Sequence, residues 1–196
     1  MPLQNRVTPE GEIIAASARK LFTGNRGGRI HDPATRTLTV RRFISRRSIC
    51  CLTTFKNRKR TVMGEGYTEL FFLDEPTALA AGHRPCFECR RVDAKAFAAF
   101  WCEAKGLEQA PGADAMDAIL HKERLGPKPS LPIVDLCDGT AILTDIRGKL
   151  HPALVRGNSL LPWAPGGYGQ PSPHPAWGEV TVLTPLSILA VLRAGL

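Results

Sequence analysis

The chain reads as an α+β protein, and three observations lead there. Short β-branched and aromatic runs alternate with helical stretches over the first 106 residues, and from residue 133 onward short strand candidates are separated by Asp-Gly and Arg-Gly turns. The third is the pair Cys86 and Cys89, a Cys-x-x-Cys directly behind a helical stop signal, whose spacing aims two thiolates at one tetrahedral metal. The expected architecture is a small antiparallel sheet with helices and a zinc knuckle, followed by a β-meander with a closing C-terminal helix. It divides into a basic zinc-binding module over 1–106, a helix and Pro-rich connector over 107–132, and a β-rich region over 133–196.

In chain order, residues 13–22 predict a short helix. Asn25, Arg26, Gly27, Gly28 and Arg29 then form a basic turn whose amides could face an anion. His31 follows, ahead of the turn signal Asp32-Pro33. Alternation predicts strands over 37–44 and 48–55, a returning hairpin strand over 59–63, and the most apolar strand of the region over 67–73. Successive side chains of a strand point to opposite faces, so only one of the adjacent Cys50 and Cys51 easily enters a shared site. Asp74-Glu75-Pro76 starts a helix that Gly82 ends, and Pro85 stiffens the approach to Cys86.

Beyond the knuckle, residues 92–105 predict an amphipathic helix with Val92, Ala96, Ala99 and Phe100 on its stripe, widened by Phe97 and Trp101. A second helix over 114–124 has Asp114 as its N-cap. Gly126-Pro-Lys-Pro-Ser-Leu-Pro132 carries three prolines and reads as a boundary. Strands follow over 133–136, 141–145, 150–155 and 159–163. A Pro/Gly-rich loop over 162–175, a strand over 179–184 and a helix over 185–193 complete the chain.

Charge is distributed unevenly. Of the net +8, the part through Leu73 holds 14 Lys and Arg against 5 acidic residues, whereas the remainder is close to neutral. A basic face beside a metal knuckle points to a polyanion, chiefly the phosphate backbone of DNA. The candidate contacts are Arg26 and Arg29 in the loop, Arg46, Arg47, Arg58, Lys59 and Arg60 at the sheet edges, and Arg84, Arg90 and Arg91 around the knuckle. No apolar run approaches the roughly 18–20 residues of a membrane span, and the N-terminus has no signal-peptide core, so a soluble, cytoplasmic protein is expected. In a reducing compartment six cysteines favour metal binding or burial over a disulfide framework. Phosphate-loop, dinucleotide and nucleophile-elbow motifs are missing from the sequence.

The run Glu69-Leu-Phe-Phe-Leu-Asp-Glu-Pro-Thr-Ala-Leu-Ala-Ala-Gly-His-Arg-Pro-Cys-Phe-Glu-Cys-Arg-Arg91 resembles the second half of the metal-binding domain of the Ada DNA repair protein. In that family an apolar strand leads to a helix ending in Ala-Leu-Ala-Ala-Gly, then an aromatic residue and Arg-Pro-Cys-x-x-Cys. The resemblance implies that Cys86 and Cys89 are zinc ligands and that Arg84 and its neighbours lie near DNA backbone. It further implies two upstream ligands from a Cys-x-x-x-Cys, one of which accepts a methyl group from a DNA methylphosphotriester. Here the upstream element is the adjacent pair Cys50-Cys51 instead, so either is a candidate nucleophile.

For a four-coordinate site, Cys50 or Cys51 is the expected third ligand. His31 is the first choice for the fourth, ahead of His83, the other member of the cysteine pair, Cys102 and Cys137. The expected function is a zinc-containing DNA-binding protein linked to repair or its regulation; the alternative is a methylphosphotriester alkyltransferase acting through a zinc-bound thiolate. A redox role for Cys86 and Cys89 is a third class.

Overall fold

Among the described residues, backbone hydrogen bonds form two larger sheets, a two-stranded ribbon and four α-helices. The structure, a computed structural model, describes residues 1–18, 20–58, 61–146 and 148–196. Strands β1 (Gln4–Val7), β2 (Ile13–Ala15), β3 (Phe22–Asn25), β4 (His31–Asp32), β5 (Thr37–Leu38), β6 (Ile49–Leu52) and β7 (Leu70–Phe72) lead to helix α1 (Glu75–Ala80). Strand β8 (Arg84–Pro85), α2 (Arg91–Ala104) and α3 (Ala113–Leu125) follow. The remainder comprises β9 (Ser130–Pro132), a 3-10 turn at Ile133–Asp135, β10 (Ala141–Ile146), β11 (Lys149–Arg156), β12 (Ser159–Ala164), β13 (Gly167–Tyr168), β14 (Ser172–Pro173), β15 (Glu179–Val182) and α4 (Leu186–Arg193). The class is α+β. Among the described residues, no helix is long and apolar enough to cross a membrane.

The N-terminal sheet has the order β2-β1-β7-β3-β6-β8 and is mixed rather than wholly antiparallel. β1 runs parallel to β7, and β8 parallel to β6. A parallel neighbour needs a crossover, and the chain from β6 to β8 supplies one through β7 and α1. In place of the helix expected over 13–22, Ile13–Ala15 is strand, because the β-branched Ile13-Ile14 pairs with Arg6 and Val7 on β1. The strand expected over 37–44 is confined to Thr37–Leu38; residues 39–48 run on as a largely exposed loop. Lys59 and Arg60, in the expected hairpin return, lie outside the described residues, and residues 62–63 are turn.

Helix α1 forms where its signals stand. The Asp74 carboxylate accepts from the Thr77 amide at 2.9 Å, Pro76 occupies the first turn, and Gly82 takes φ +73 after the last turn. Two residues of the C-terminal half hold its N-terminus: the Trp163 indole donates to Thr77 Oγ1 at 3.0 Å and the Tyr168 hydroxyl to Asp74 Oδ2 at 2.7 Å. The Pro/Gly-rich stretch is therefore ordered into β13 and β14 and fastened to α1. Ser130–Pro132, within the Pro-rich segment, is the edge strand of the second sheet (β13-β12-β11-β10-β15-β9), a position where a missing N–H is tolerated.

The four helices share one apolar cluster, with Leu79 from α1, Phe97 and Trp101 from α2, Met116 and Leu120 from α3, and Ile188 and Val191 from α4. The buried face of α2 is Ala94, Phe97, Ala98 and Trp101, an i, i+3, i+4, i+7 set, whereas Val92 is 81% exposed. The bulkier aromatic pair, not the stripe beginning at Val92, faces the core. Gly112 caps α3, and Asp114 in its first turn pairs instead with Arg47. Glu123 accepts from the Ser187 amide and hydroxyl, which ties α3 to the start of α4.

His83 is fully buried beside Phe72, with ring centroids 4.8 Å apart, and its Nε2 accepts from Arg26 Nε at 3.4 Å. Burial, followed by the positive charges of Arg26 and Arg124, holds its pKa well below the usual 6.5. The imidazole is neutral in the fold and protonates in the unfolded chain below about 6.5, so its contribution is complete above that pH and is lost as pH falls. We expect a melting temperature that drops between pH 6.5 and 5, with a shallower drop in His83→Gln; equal slopes would remove His83 as the cause.

Candidate metal centre

Cys51, Cys86 and Cys89 converge, with their sulfurs all within 4.8 Å of one another. The parallel pairing of β6 with β8 produces this. The Arg84 amide donates to Ser48 O at 3.2 Å and the Cys86 amide to Cys50 O at 3.0 Å, which lays Cys86 beside β6. Alternation then separates the adjacent cysteines. Cys50, 1% exposed, packs with Leu70, Phe72 and Ala78, while Cys51 faces the knuckle. The Glu88 amide points at Cys86 Sγ at 3.4 Å, and the Arg90 amide closes the turn on Cys86 O at 3.0 Å before α2 begins.

Gly24 permits the close approach beneath. It pairs with Cys50 and with Leu70, and a Cβ there would stand 2.1 Å from Ile49 O and 2.9 Å from the Phe72 ring. Any side chain at this position would force β3 and β6 apart and move Cys51 with them.

The electrostatics distinguish the thiols. Cys86 is drawn down to about 5, first by the hydrogen bond from Cys51 and further by the Glu88 and Cys89 amides, against the opposing effect of burial. Cys51 is pushed up, because its proton is held on Cys86 and because it is partly desolvated. Burial likewise raises Cys89, and it pushes Cys50 up to about 12 despite Arg90 Nη1 at 3.5 Å. One thiolate thus shares its neighbours' protons, and a cation would displace those protons to leave three thiolates. The donor set fits zinc: Zn–S bonds of about 2.3 Å in a tetrahedron place sulfurs roughly 3.8 Å apart, a small contraction of the observed group.

The three cysteines line one end of a cleft of about 480 Å³ whose walls include Thr23, Asn25, Phe55, Arg58, Tyr67 and Glu69. Three protein ligands would leave one position of a tetrahedral zinc without a donor from this group. The Cys86–Cys89 pair also lies between β8 and the N-terminus of α2, a setting that redox pairs use; the third sulfur sets this group apart.

Other expected ligands are engaged elsewhere. His31 lies outside the thiol group: Nδ1 bonds Thr68 Oγ1 at 2.6 Å and Nε2 bonds Gly64 O at 2.8 Å, so neither ring nitrogen is available. Cys102 Sγ donates to Leu107 O at 3.0 Å on α2, and Cys137 sits beside Thr140.

The arginines around the knuckle are largely internal. Arg84 is buried and pairs bidentately with Asp117 of α3, at 3.0 and 2.7 Å, with its guanidinium over the Phe87 ring. Arg90 is buried between Glu75 at 2.6 Å and Asp93 at 2.8 Å and covers Phe22. Arg26 is buried on His83 and Gly11 O. These three are positioned by protein groups rather than presented to a phosphate. Arg29 pairs with Glu65, Arg47 with Asp114 and Arg58 with Glu88, all at the surface, where such pairs are weak and open readily. Arg46 and Arg91 are exposed. The residues that sequence reasoning missed are Asp117, Glu75 and Asp93, since acids that neutralise an arginine from another element leave no mark in local sequence.

Comparison with protein-family models, with curated proteins and with solved structures finds no match for this chain.

Metal analysis should find about one zinc per chain. Cys51→Ala, Cys86→Ala and Cys89→Ala should each lose most of it, whereas Cys50→Ala and His31→Ala should keep it and lose stability through packing and hydrogen bonds. Zinc retention in Cys51→Ala would exclude the three-thiol centre.

Proposed function

We propose that the chain is a zinc-thiolate protein that binds DNA through its phosphate backbone and serves DNA repair or its regulation. The observation that carries the reading is the position of Cys51, Cys86 and Cys89 in the wall of an open cleft rather than in a closed core. Zinc held by these three sulfurs would keep them deprotonated and organise the knuckle. The cleft is rimmed by Phe55 and Arg58, with the exposed Lys56 next in sequence. That rim offers a cationic, aromatic edge to a phosphate chain, and the Arg58–Glu88 pair is exposed enough to exchange its carboxylate for a phosphate. The resemblance of residues 69–91 to the Ada metal-binding domain supports the same direction.

A second reading, alkyl transfer, is favoured by the place of the three-sulfur group in the cleft wall, where a substrate could reach it. In it Cys51 Sγ attacks the methyl carbon of a phosphotriester, an S–C bond forms as the C–O bond breaks, and the phosphodiester leaves with the electron pair. The thioether so formed spends the thiolate. Cys50 has no part in this step, because it lies in the apolar core.

Binding to a DNA duplex should fall steeply as salt rises and depend weakly on sequence. Reversing Lys56 and Arg58 to Glu should weaken it at least tenfold at low salt. Unchanged affinity in that variant would rule out the cleft rim as the DNA face. Mass spectrometry after incubation with methylphosphotriester DNA separates the two readings: one methyl on Cys51 establishes transfer, and unmodified cysteines alongside tight binding leave the binding role alone.

A further inference from the structure

A second pocket, of about 130 Å³, shares no lining residue with the thiol cleft. It lies where the β1–β2 turn, the end of β3, the 39–48 loop and the C-terminal end of α3 meet. Four cations line it, Arg26, Arg42, Arg124 and Lys128, against Glu10 and Glu12. Among the described residues, no carboxylate stands within ion-pair distance of any of the four.

The polar groups here are incompletely satisfied. Arg26 is 7% exposed and is held only by neutral acceptors, His83 Nε2 and Gly11 O at 2.7 Å. Arg124 donates through Nη2 to Arg46 O at 3.1 Å and to His121 Nδ1 at 2.5 Å, while its buried Nη1 has no partner. Arg42 and Lys128 also bond only carbonyl oxygens, those of Thr39 and Leu183. Burying guanidinium groups without a counter-anion is costly, and an unpaired buried N–H adds to the cost. Burial accordingly draws both Arg26 and Arg124 down to about 10, with Arg124 further lowering Arg26. The C-terminal half-charge of α3 and the two glutamates offset part of the positive charge. Glu123, which acts on Lys128, offsets a further part.

We propose that this pocket is a binding site for a single tetrahedral oxyanion, a phosphate group, clamped by Arg124, Arg26, Arg42 and Lys128. Its volume is well under the roughly 300 Å³ at which sites for drug-sized ligands begin, so it takes the phosphate itself rather than a base or sugar. Arginine suits the task, since a guanidinium fork meets phosphate oxygens in pairs. The phosphate can be a free ion or the terminal phosphate of an oligonucleotide.

The test is thermal unfolding of the zinc-loaded protein in sodium phosphate against sodium chloride of equal ionic strength. Phosphate should raise the melting temperature by about 3 °C or more at concentrations well above its dissociation constant. The rise should fall to less than half in Arg124→Gln. Arg42→Ala and Lys128→Ala alter less buried positions that the fold tolerates, and each should weaken the response if Arg124→Gln proves unstable. Competition by 5′-phosphorylated but not by unphosphorylated oligonucleotide identifies a terminal phosphate as the occupant; competition by neither identifies the free ion. An equal rise in chloride, or an undiminished rise in the Arg42 and Lys128 variants, overturns the site. Neither result bears on zinc binding or DNA binding at the thiol cleft, which are measured separately.

Discussion

The parallel pairing of β6 with β8 is the constraint on which the rest of the site depends. β8 is two residues long, and its hydrogen bonds to β6 number few, from the Arg84 and Cys86 amides to Ser48 and Cys50 carbonyls. So short a pairing cannot hold itself. It is fixed from both ends: α1 delivers the chain through Gly82, and the Arg84 guanidinium is locked onto Asp117 of α3. A buried ion pair of this kind adds little net stability over an apolar substitute, yet removing one partner costs about 3–5 kcal/mol because a charge is left uncompensated. Its value here is positional. It sets the edge strand against the helical layer, and the helical layer holds the knuckle.

Arginine content alone gives a misleading picture of where cations are presented. The excess before Leu73 is real, but Arg26 is drawn inside. The two arginines that flank the knuckle most closely, Arg84 and Arg90, neutralise Asp117, Glu75 and Asp93 within the near-neutral part beyond Leu73. These pairs lie wholly beyond Leu73, where they fasten β8 to α3 and the start of α2 to α1, and they use none of the excess carried by the first part. Among the described residues, the exposed cations include Arg41, Arg42 and Arg46 in the 39–48 loop and Lys56 and Arg58 beside the cleft.

Legibility in the sequence followed the range of the physical signal. Helix α1 could be placed from Asp74, Pro76 and Gly82 because capping is a local interaction, and the alternation of Cys50 and Cys51 followed from strand geometry alone. The β2 strand was missed because its conformation is set by pairing with β1, which overrides a weak helical pattern. The face of α2 was displaced because which stripe is buried depends on α3 and α4. His31 was misjudged for a related reason: Thr68 and Gly64, some 35 residues away in sequence, occupy both of its nitrogens, and an imidazole so satisfied has nothing left for a metal.

Adjacent cysteines in a strand pose a problem of register that the fold has to solve. A slip of one residue in β6 turns every side chain of the strand to the other face: one direction brings Cys50 to the knuckle and Ile49 to its place among Leu70, Phe72 and Ala78, the other brings Cys51 to that core and Leu52 to the knuckle. In either direction one place keeps a cysteine and the other receives a larger apolar residue. What opposes it is shape. Gly24 faces Cys50 at a point where the Ile49 carbonyl and the Phe72 ring fill the space a Cβ would take, and Thr23 faces Cys51. A strand slipped so that Cys50 reached the knuckle would press the larger Ile49 side chain into the core place of a cysteine, at a cost of the order that overpacking a core incurs, about 1–3 kcal/mol. The size of the neighbouring side chains therefore bears on which of two chemically identical thiols faces the knuckle, and burial pushes the pKa of the other up to about 12.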